Sequence, residues 1–241
     1  MSTQRADQDK VAVITGGGSG IGLAMARTLA ASGYSVVITG RDAKRLQKAA
    51  KEFFKTKSHV TPIACDVRDP ASVEKLFQEI GKHHSTIDVL INNAGVAHGL
   101  APVDQLSVET WKEVIDTNLT GTFLVTRAAL PLMRAGGTIV NNLSVAALQP
   151  FAGMSAYNAS KFGALGFTQA LREDLRKRGI RVLALLPGAT DTEIWGQFWP
   201  DAPREKMISA EAVAEAVLHA VSVPANTAIE EIRIGPASGV L

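Results

Sequence analysis

Short runs of apolar, often β-branched residues alternate along this chain with longer stretches whose apolar positions recur at helical spacing. The runs predict strands at Val11–Thr15, Ser35–Thr39, Val60–Ala64, Val89–Ile91, Thr138–Asn142, Arg181–Leu186 and Ile229–Ile234. The stretches between them predict helices at Gly20–Ala31, Ala43–Phe54, Ala71–His83, Val108–Arg134, Ala156–Arg178 and Ala210–Ser222. Consecutive apolar residues, as in Val182–Leu186, point to strands buried on both faces. Strict alternation of strand and helix implies right-handed crossovers and a doubly wound, seven-stranded parallel sheet flanked by helices, an α/β fold. No linker, repeat or low-complexity segment interrupts the pattern, so residues 1–241 are expected to form a single domain, with 1–9 flexible. In such sheets ligands bind beyond the carboxyl ends of the strands, which directs attention to the residues after each strand.

The first predicted strand runs into Thr15-Gly16-Gly17-Gly18-Ser19-Gly20-Ile21-Gly22, and a helix follows. Glycines permit a tight turn and a close backbone approach to a pyrophosphate, and a helix N-terminus offers it free N–H groups. In this setting the segment reads as a nucleotide-binding turn, with Gly16, Gly18, Ser19, Gly20, Ile21 and Gly22 as candidate contacts. Further on, Tyr157 and Lys161 stand four residues apart in a predicted helix and so share one face. A free phenol has a pKa of about 10, and a neighbouring ammonium favours its phenolate, which suits proton exchange nearer neutrality. Ser144 follows a predicted strand, thirteen residues before Tyr157, where its hydroxyl can hydrogen-bond a substrate oxygen gaining negative charge.

The glycine spacing is TGxxxGxG rather than GxGxxG, and with YxxxK and Ser144 it resembles the short-chain dehydrogenase/reductase family. Further motifs follow in that family's order, from about Lys10 to Gly235. The resemblance implies a Rossmann-type fold and an active oxidoreductase with a tetrad of Asn118, Ser144, Tyr157 and Lys161. It implies that Asn118 bends its helix and holds a water linking the lysine to solvent. It places Asp66 and Val67 at the adenine, and Asn93, Ala94 and Gly95 of the Asn-Asn-Ala-Gly motif beside the cofactor. It places Pro187, Gly188, Thr190 and Thr192 at the nicotinamide amide, with Tyr157 and Lys161 also touching the cofactor. The implied reduction moves a pro-S hydride to a carbonyl carbon while Ser144 positions the oxygen and Tyr157 gives it a proton.

By the family's spacing, Gly40 stands where NAD-binding relatives carry an acid for the ribose, and Arg41 follows it. An acid repels a 2′-phosphate, whereas a guanidinium pairs with one, so NADP(H) is favoured over NAD(H). Asp42 is placed for a ribose hydroxyl or for capping the next helix. The chain departs from many NADP-preferring relatives in having Ser19 where they carry a basic residue.

The family's substrate selectivity resides after the sixth strand, here residues 193–209. Trp195, Phe198 and Trp199 concentrate aromatic area there in a chain otherwise poor in it, which suits an apolar pocket wall or, equally, packing on the protein itself. Val96, His98, Val145, Ala146 and Met154 are expected to complete the pocket, with Ser144 touching substrate. The expected substrate is a small carbonyl compound or alcohol.

A formal net charge of +2 gives no general pull toward nucleic acid, and the basic clusters at 44–57 and 172–181 read as solvated helix faces. No apolar run approaches the roughly 18 residues of a membrane span, and the polar first ten residues lack a signal peptide's apolar stretch. The single cysteine, Cys65, reads as a core residue and suits a reducing cytoplasm. No metal site is expected, since His83 and His84 close a helix and His98 has no ligand partner. The long helices at 108–134 and 156–178 resemble the family's subunit interface, implying a homodimer or homotetramer. Competing readings are an NAD-dependent alcohol dehydrogenase and a non-catalytic dinucleotide-sensing regulatory protein. A nucleotide-sugar epimerase or dehydratase is disfavoured by the glycine spacing.

Overall fold

A computed structural model describes residues 10–55 and 59–239; the expectation of a flexible segment at 1–9 lies outside them. Seven parallel strands form one sheet in the order β3-β2-β1-β4-β5-β6-β7. They are β1 (Val11–Thr15), β2 (Ser35–Gly40), β3 (Val60–Ala64), β4 (Ile87–Asn92), β5 (Met133–Asn142), β6 (Arg181–Pro187) and β7 (Glu231–Ile234). The helices are α1 (Gly20–Ala31), α2 (Ala43–Lys51), α3 (Pro70–His83), α4 (Val108–Ile115), α5 (Gly121–Ala129), α6 (Ser155–Arg176) and α7 (Ala210–Ser222). None of the described helices is long and apolar enough to cross a membrane.

Successive side chains of a strand point to opposite faces, and both faces of this sheet are covered. Ala12 and Ile14 of β1 join Val36, Ile38, Val89 and Ile91 in a core closed by α1, α2 and α7. Val13 joins Val37, Leu90, Ile139 and Val182 in a second core closed by α3, α5 and α6. That division explains why the central strands read as unbroken apolar runs. A polar seam crosses the second layer: Asn92 donates to Thr126 Oγ1 (2.9 Å) and Asn141 Oδ1 (2.8 Å), and Asn141 donates to Thr168 Oγ1 (2.9 Å).

Most helix starts carry a local capping residue. Asp42 accepts from Arg45 N, Asp69 from Ala71 N, Ser107 from Thr110 N and Ser209 from Ala212 N. Asp42 therefore serves as the cap of α2. The helices without a side-chain cap are α1 and α6, whose starts face the ligand end, and α5, which continues from the π turn.

The continuous helix expected over 108–134 is broken. A five-residue π turn, Asp116–Thr120, separates α4 from α5, and a 3₁₀ turn at Leu130–Leu132 leads into β5 at Met133. Pro131 lacks an N–H and its ring clashes with the preceding turn, which ends the helix there. The helix expected to reach Phe54 stops at Lys51 and tightens into a 3₁₀ turn, Glu52–Lys55. The last strand begins at Glu231 rather than Ile229, and α6 ends at Arg176, before Gly179 at φ +66°.

At the opposite end of the sheet, Arg181 gathers carbonyls from several segments. It donates to Val223 O (3.0 Å), Thr227 O (3.2 Å) and Val221 O (3.3 Å), and to Thr138 Oγ1 (3.0 Å). These bonds tie the exit of α7 to β5 and β6. Replacing Arg181 with Met strands several carbonyls, so we expect a loss of about 2–4 kcal/mol and a Tm fall of roughly 5–10 °C. Urea and thermal melts check this; an unchanged midpoint would contradict the clamp.

Candidate active site

The carboxyl edge of the sheet opens between β1 and β4, where the chain's windings diverge to either side. A cleft of about 490 Å³ lies there. Its floor begins with the glycine turn. Gly16 and Gly20 have φ of +65° and +51°, a region that disfavours side chains. A Cβ on Gly22 would collide with the Gly16 carbonyl and the Asn93 amide. The α1 ladder starts with Leu23 N donating to Ser19 O (3.1 Å), so the N–H groups of the first turn are not spent on the helix itself. Gly16, Ser19, Gly20 and Ile21 line the cleft; Gly18 lies instead against the Arg45 side chain and Gly22 behind Gly16.

Asn93 holds this floor. Its Nδ2 donates to Thr15 O (3.0 Å) and Gly16 O (3.1 Å), while its Oδ1 accepts from Asn142 Nδ2 (2.8 Å). Thr15 Oγ1 accepts from the backbone N–H groups of Asn93 (2.9 Å) and Ala94 (3.0 Å). The ends of β1, β4 and β5 are thus joined side by side. Asn93, Ala94 and Gly95 line the cleft.

Ser144 follows β5 and caps a short 3₁₀ turn, accepting from Ala146 N (3.1 Å). Its hydroxyl also faces the Tyr157 phenol closely enough to favour the phenolate. Lys161, one turn further along α6, donates from Nζ to Asn142 O (3.1 Å) and lies 5.5 Å from the centre of the Tyr157 ring. Ser144, Tyr157 and Lys161 all line the cleft. Burial pushes the Tyr157 phenol up, with the Ser144 hydroxyl opposing it in part. Burial pushes Lys161 down to about 8. At neutral pH the phenol therefore holds a proton to give, and the ammonium beside it is close to titrating.

Asn118 stands on the π turn, off the cleft. Its Oδ1 accepts from Val96 N (2.9 Å), and its Nδ2 donates to Val96 O (2.9 Å) and Ser160 Oγ (3.0 Å). The side chain pins the backbone after β4 to the helix that carries Tyr157. Asn158 does similar work and escaped the sequence reading. It donates to Ala146 O (3.0 Å) and Gln149 O (3.1 Å), and accepts from Phe151 N (3.1 Å), which sets the segment between Ser144 and α6. The signal was present: a polar amide inside a predicted helix, as at Asn118.

The residues expected at the adenosine end are grouped apart from the cleft lining. Arg41 faces Glu113 (3.6 Å), both about half exposed. Asp66 is held by Arg68 (2.6 Å), whose guanidinium draws its carboxyl below the usual range. Val67 is buried against Gly121. Glu113 was not anticipated, because only the fold brings it to Arg41, whereas Arg68, two residues from Asp66, was overlooked within reach of the sequence.

On the substrate side, Pro187, Gly188, Thr190 and Thr192 line the cleft, as do Val145, Ala146, Met154, Trp195, Phe198 and Trp199. The aromatic trio thus faces the cleft as well as packing on itself. Val96 and His98 do not line it, a departure from expectation. Val96 is taken up by Asn118. His98 is buried, and its Nδ1 donates to Gly99 O (2.7 Å), the carbonyl being able only to accept. Leu100 and Phe151 line the cleft without having been expected to, and Ile194 joins them from the 193–209 segment.

The sheet order, the glycine turn and this cleft define a dinucleotide-dependent oxidoreductase of the Rossmann type. A family model described as short chain dehydrogenase matches residues 10–203. An uncharacterized oxidoreductase of Staphylococcus saprophyticus is 35% identical over 232 residues, 95% of this chain and 98% of that protein. An alcohol dehydrogenase from the archaeon Thermococcus sibiricus, complexed with 5-hydroxy-NADP, superposes with a TM-score of 0.88 at 29% identity, covering 96% of this chain and 98% of that one. A serine dehydrogenase complexed with NADP⁺, in its closed form, gives 0.87 at 31% identity, covering 96% of each chain. The chain belongs to the short-chain dehydrogenase family, whose members are NAD(P)-dependent oxidoreductases.

The depressed Lys161 pKa has a thermodynamic consequence. In the unfolded chain the lysine keeps its proton up to about 10.5, whereas in the fold it loses it near 8. Between those values the unfolded state binds more protons, so stability rises with pH. Relative to Lys161→Met, the native chain should gain about 2–4 kcal/mol between pH 7.5 and 10. Urea melts across that range check it; parallel curves for the two proteins would contradict it.

Proposed function

We propose that this chain is an NADP(H)-dependent carbonyl reductase or alcohol dehydrogenase. The observation that carries the proposal is the meeting of Ser144, Tyr157 and Lys161 at the rim of a cleft whose floor is the glycine turn. The left-handed Gly16 and Gly20 and the uncapped start of α1 leave a backbone cradle that fits a pyrophosphate. The nicotinamide dinucleotide, when bound, supplies or accepts the hydride.

The protein's own part is proton handling and placement. In reduction the carbonyl carbon gains a hydride, the π pair moves to oxygen, and that oxygen takes the Tyr157 proton. Ser144 donates a hydrogen bond to the same oxygen as charge gathers on it. Lys161, desolvated and cationic below about 8, favours the phenolate left behind. Asn118 keeps the post-β4 backbone and α6 in register, and the π turn is a site for a proton-relaying water. Asp66 and Val67 serve the adenine pocket, and Pro187, Gly188, Thr190 and Thr192 the nicotinamide amide.

Preference for NADP(H) rests on Gly40 and Arg41 at the end of β2. An exposed ion pair such as Arg41–Glu113 contributes little, so Arg41 can exchange it for a dianionic phosphate. Structural neighbours complexed with NADP species support the same choice. Exposed Val108, Trp111, Phe123 and Phe162 on α4, α5 and α6 favour a homodimer or homotetramer through those helices.

Replacing Tyr157 with Phe should lower kcat by about 10²–10⁴-fold while NADPH binding, followed by its fluorescence, persists. Turnover near the native level would remove the assignment. Arg41→Ser should cut the preference for NADPH over NADH, measured as kcat/KM, by roughly 10- to 100-fold. Equal use of both cofactors by the native enzyme would remove the reason for naming NADP(H).

A further inference from the structure

The substrate end of the cleft is almost free of charge. Of the side chains that line the whole cleft, only Tyr157, Lys161 and Glu193 titrate. Lys161 stands at the Tyr157 end, donating to Asn142 O (3.1 Å), and Glu193 faces Arg45 (3.2 Å). Arg204, the guanidinium on the adjoining loop, is held by the Asp191 carboxylate (2.9 Å) and the Thr192 carbonyl (2.6 Å). The one cation in the lining is Lys161, beside Tyr157, so a carboxylate or phosphate lying against the segment after β6 would have no cation at contact there. Burying an unpaired charge is strongly unfavourable.

The wall that does face the space is aromatic and held in place. The Trp195 indole N–H donates to Thr190 O (2.8 Å), which fixes the ring. Phe198 packs on it with centroids 4.9 Å apart, and Trp199 at 6.1 Å. Gln197 of the same segment accepts from Ala97 N (3.0 Å), tying this wall to the loop after β4. At the rim, Leu100 and Trp199 remain 61% and 41% exposed. Large apolar groups left exposed around a cleft are suited to being covered by an apolar ligand.

We propose that the substrate is an uncharged ketone bearing an aromatic group, or the matching secondary alcohol, with its ring against Trp195, Phe198 and Trp199. The same cleft rejects hydroxy acids and phosphorylated compounds. The inference rests on the reductase reading above and names its substrate class.

The test compares 4-methylacetophenone with 4-acetylbenzoate, which are similar in shape and differ in charge. Reduction by NADPH and quenching of intrinsic tryptophan fluorescence are measured on the full chain. The neutral ketone should show a kcat/KM at least about 100-fold higher and should quench saturably. Trp195→Ala, and separately Trp199→Ala with its thermal melt as a folding control, should raise KM for the aromatic ketone about tenfold with kcat little changed. Equal or better reduction of the carboxylate would overturn the inference and leave the reductase reading intact. An unchanged KM in both folded variants would overturn it too. Saturable quenching by the neutral ketone with no reduction of either compound would support the apolar site and overturn the reductase reading. Neither quenching nor reduction would overturn both.

Discussion

A hydrogen-bonded line at the carboxyl edge of the sheet, from Thr15 through Asn93 and Asn142 to Lys161, joins everything the protein does at this end. Strand ends are where a parallel sheet has spent its backbone ladder, and without side chains to bridge them they would drift apart. Asn93 uses both ends of its amide, donating to the carbonyls of Thr15 and Gly16 and accepting from Asn142. The Asn142 carbonyl then receives Lys161 Nζ. The glycine turn and the helix that carries Tyr157 and Lys161 are therefore placed by one network rather than by two independent supports. Gly22 is required by the same network, since a side chain there would strike Asn93 and Gly16 together.

The cleft divides into a polar and an apolar half. In the polar half, burial acts against the charge on Lys161 and against the phenolate of Tyr157. Desolvation alone leaves the two groups neutral-leaning; a bound cofactor and a substrate oxygen add the partners that make proton transfer favourable. The apolar half holds no free cation to draw in an anion. The two halves are built by different elements: the starts of α6 and α1 for the polar one, the segment after β6 for the apolar one.

Much of this was legible in the chain. Apolar runs marked the five inner strands because both faces of the sheet are covered there, while the edge strands β3 and β7 stay partly exposed, and motifs at strand ends marked the cleft because that is where a parallel sheet binds ligands. The break between α4 and α5 was not legible. Residues 108–129 keep helical spacing through the π turn, and the turn is stabilised by Asn118 reaching Val96, a contact across 22 positions. Val96 and His98 were expected in the cleft from proximity to Asn93, yet the Asn118 amide holds Val96 and the Gly99 carbonyl holds His98 away from it. Leu100 and Phe151 enter instead, because Ala101 N bonds to Gly153 O (3.0 Å) and brings two loops together. Neighbourhood in sequence located the strand-end residues well and the loop residues poorly, since loops are placed by long-range bonds.

The proposed reaction is direct hydride transfer at this cleft, with the chain supplying the proton. The most direct measurement uses NADPH carrying deuterium on the pro-S face of the nicotinamide, with the alcohol product analysed by mass spectrometry and NMR. Each product molecule should carry one deuterium on its carbinol carbon and none on its oxygen after exchange into water. A product free of deuterium at that carbon would contradict it.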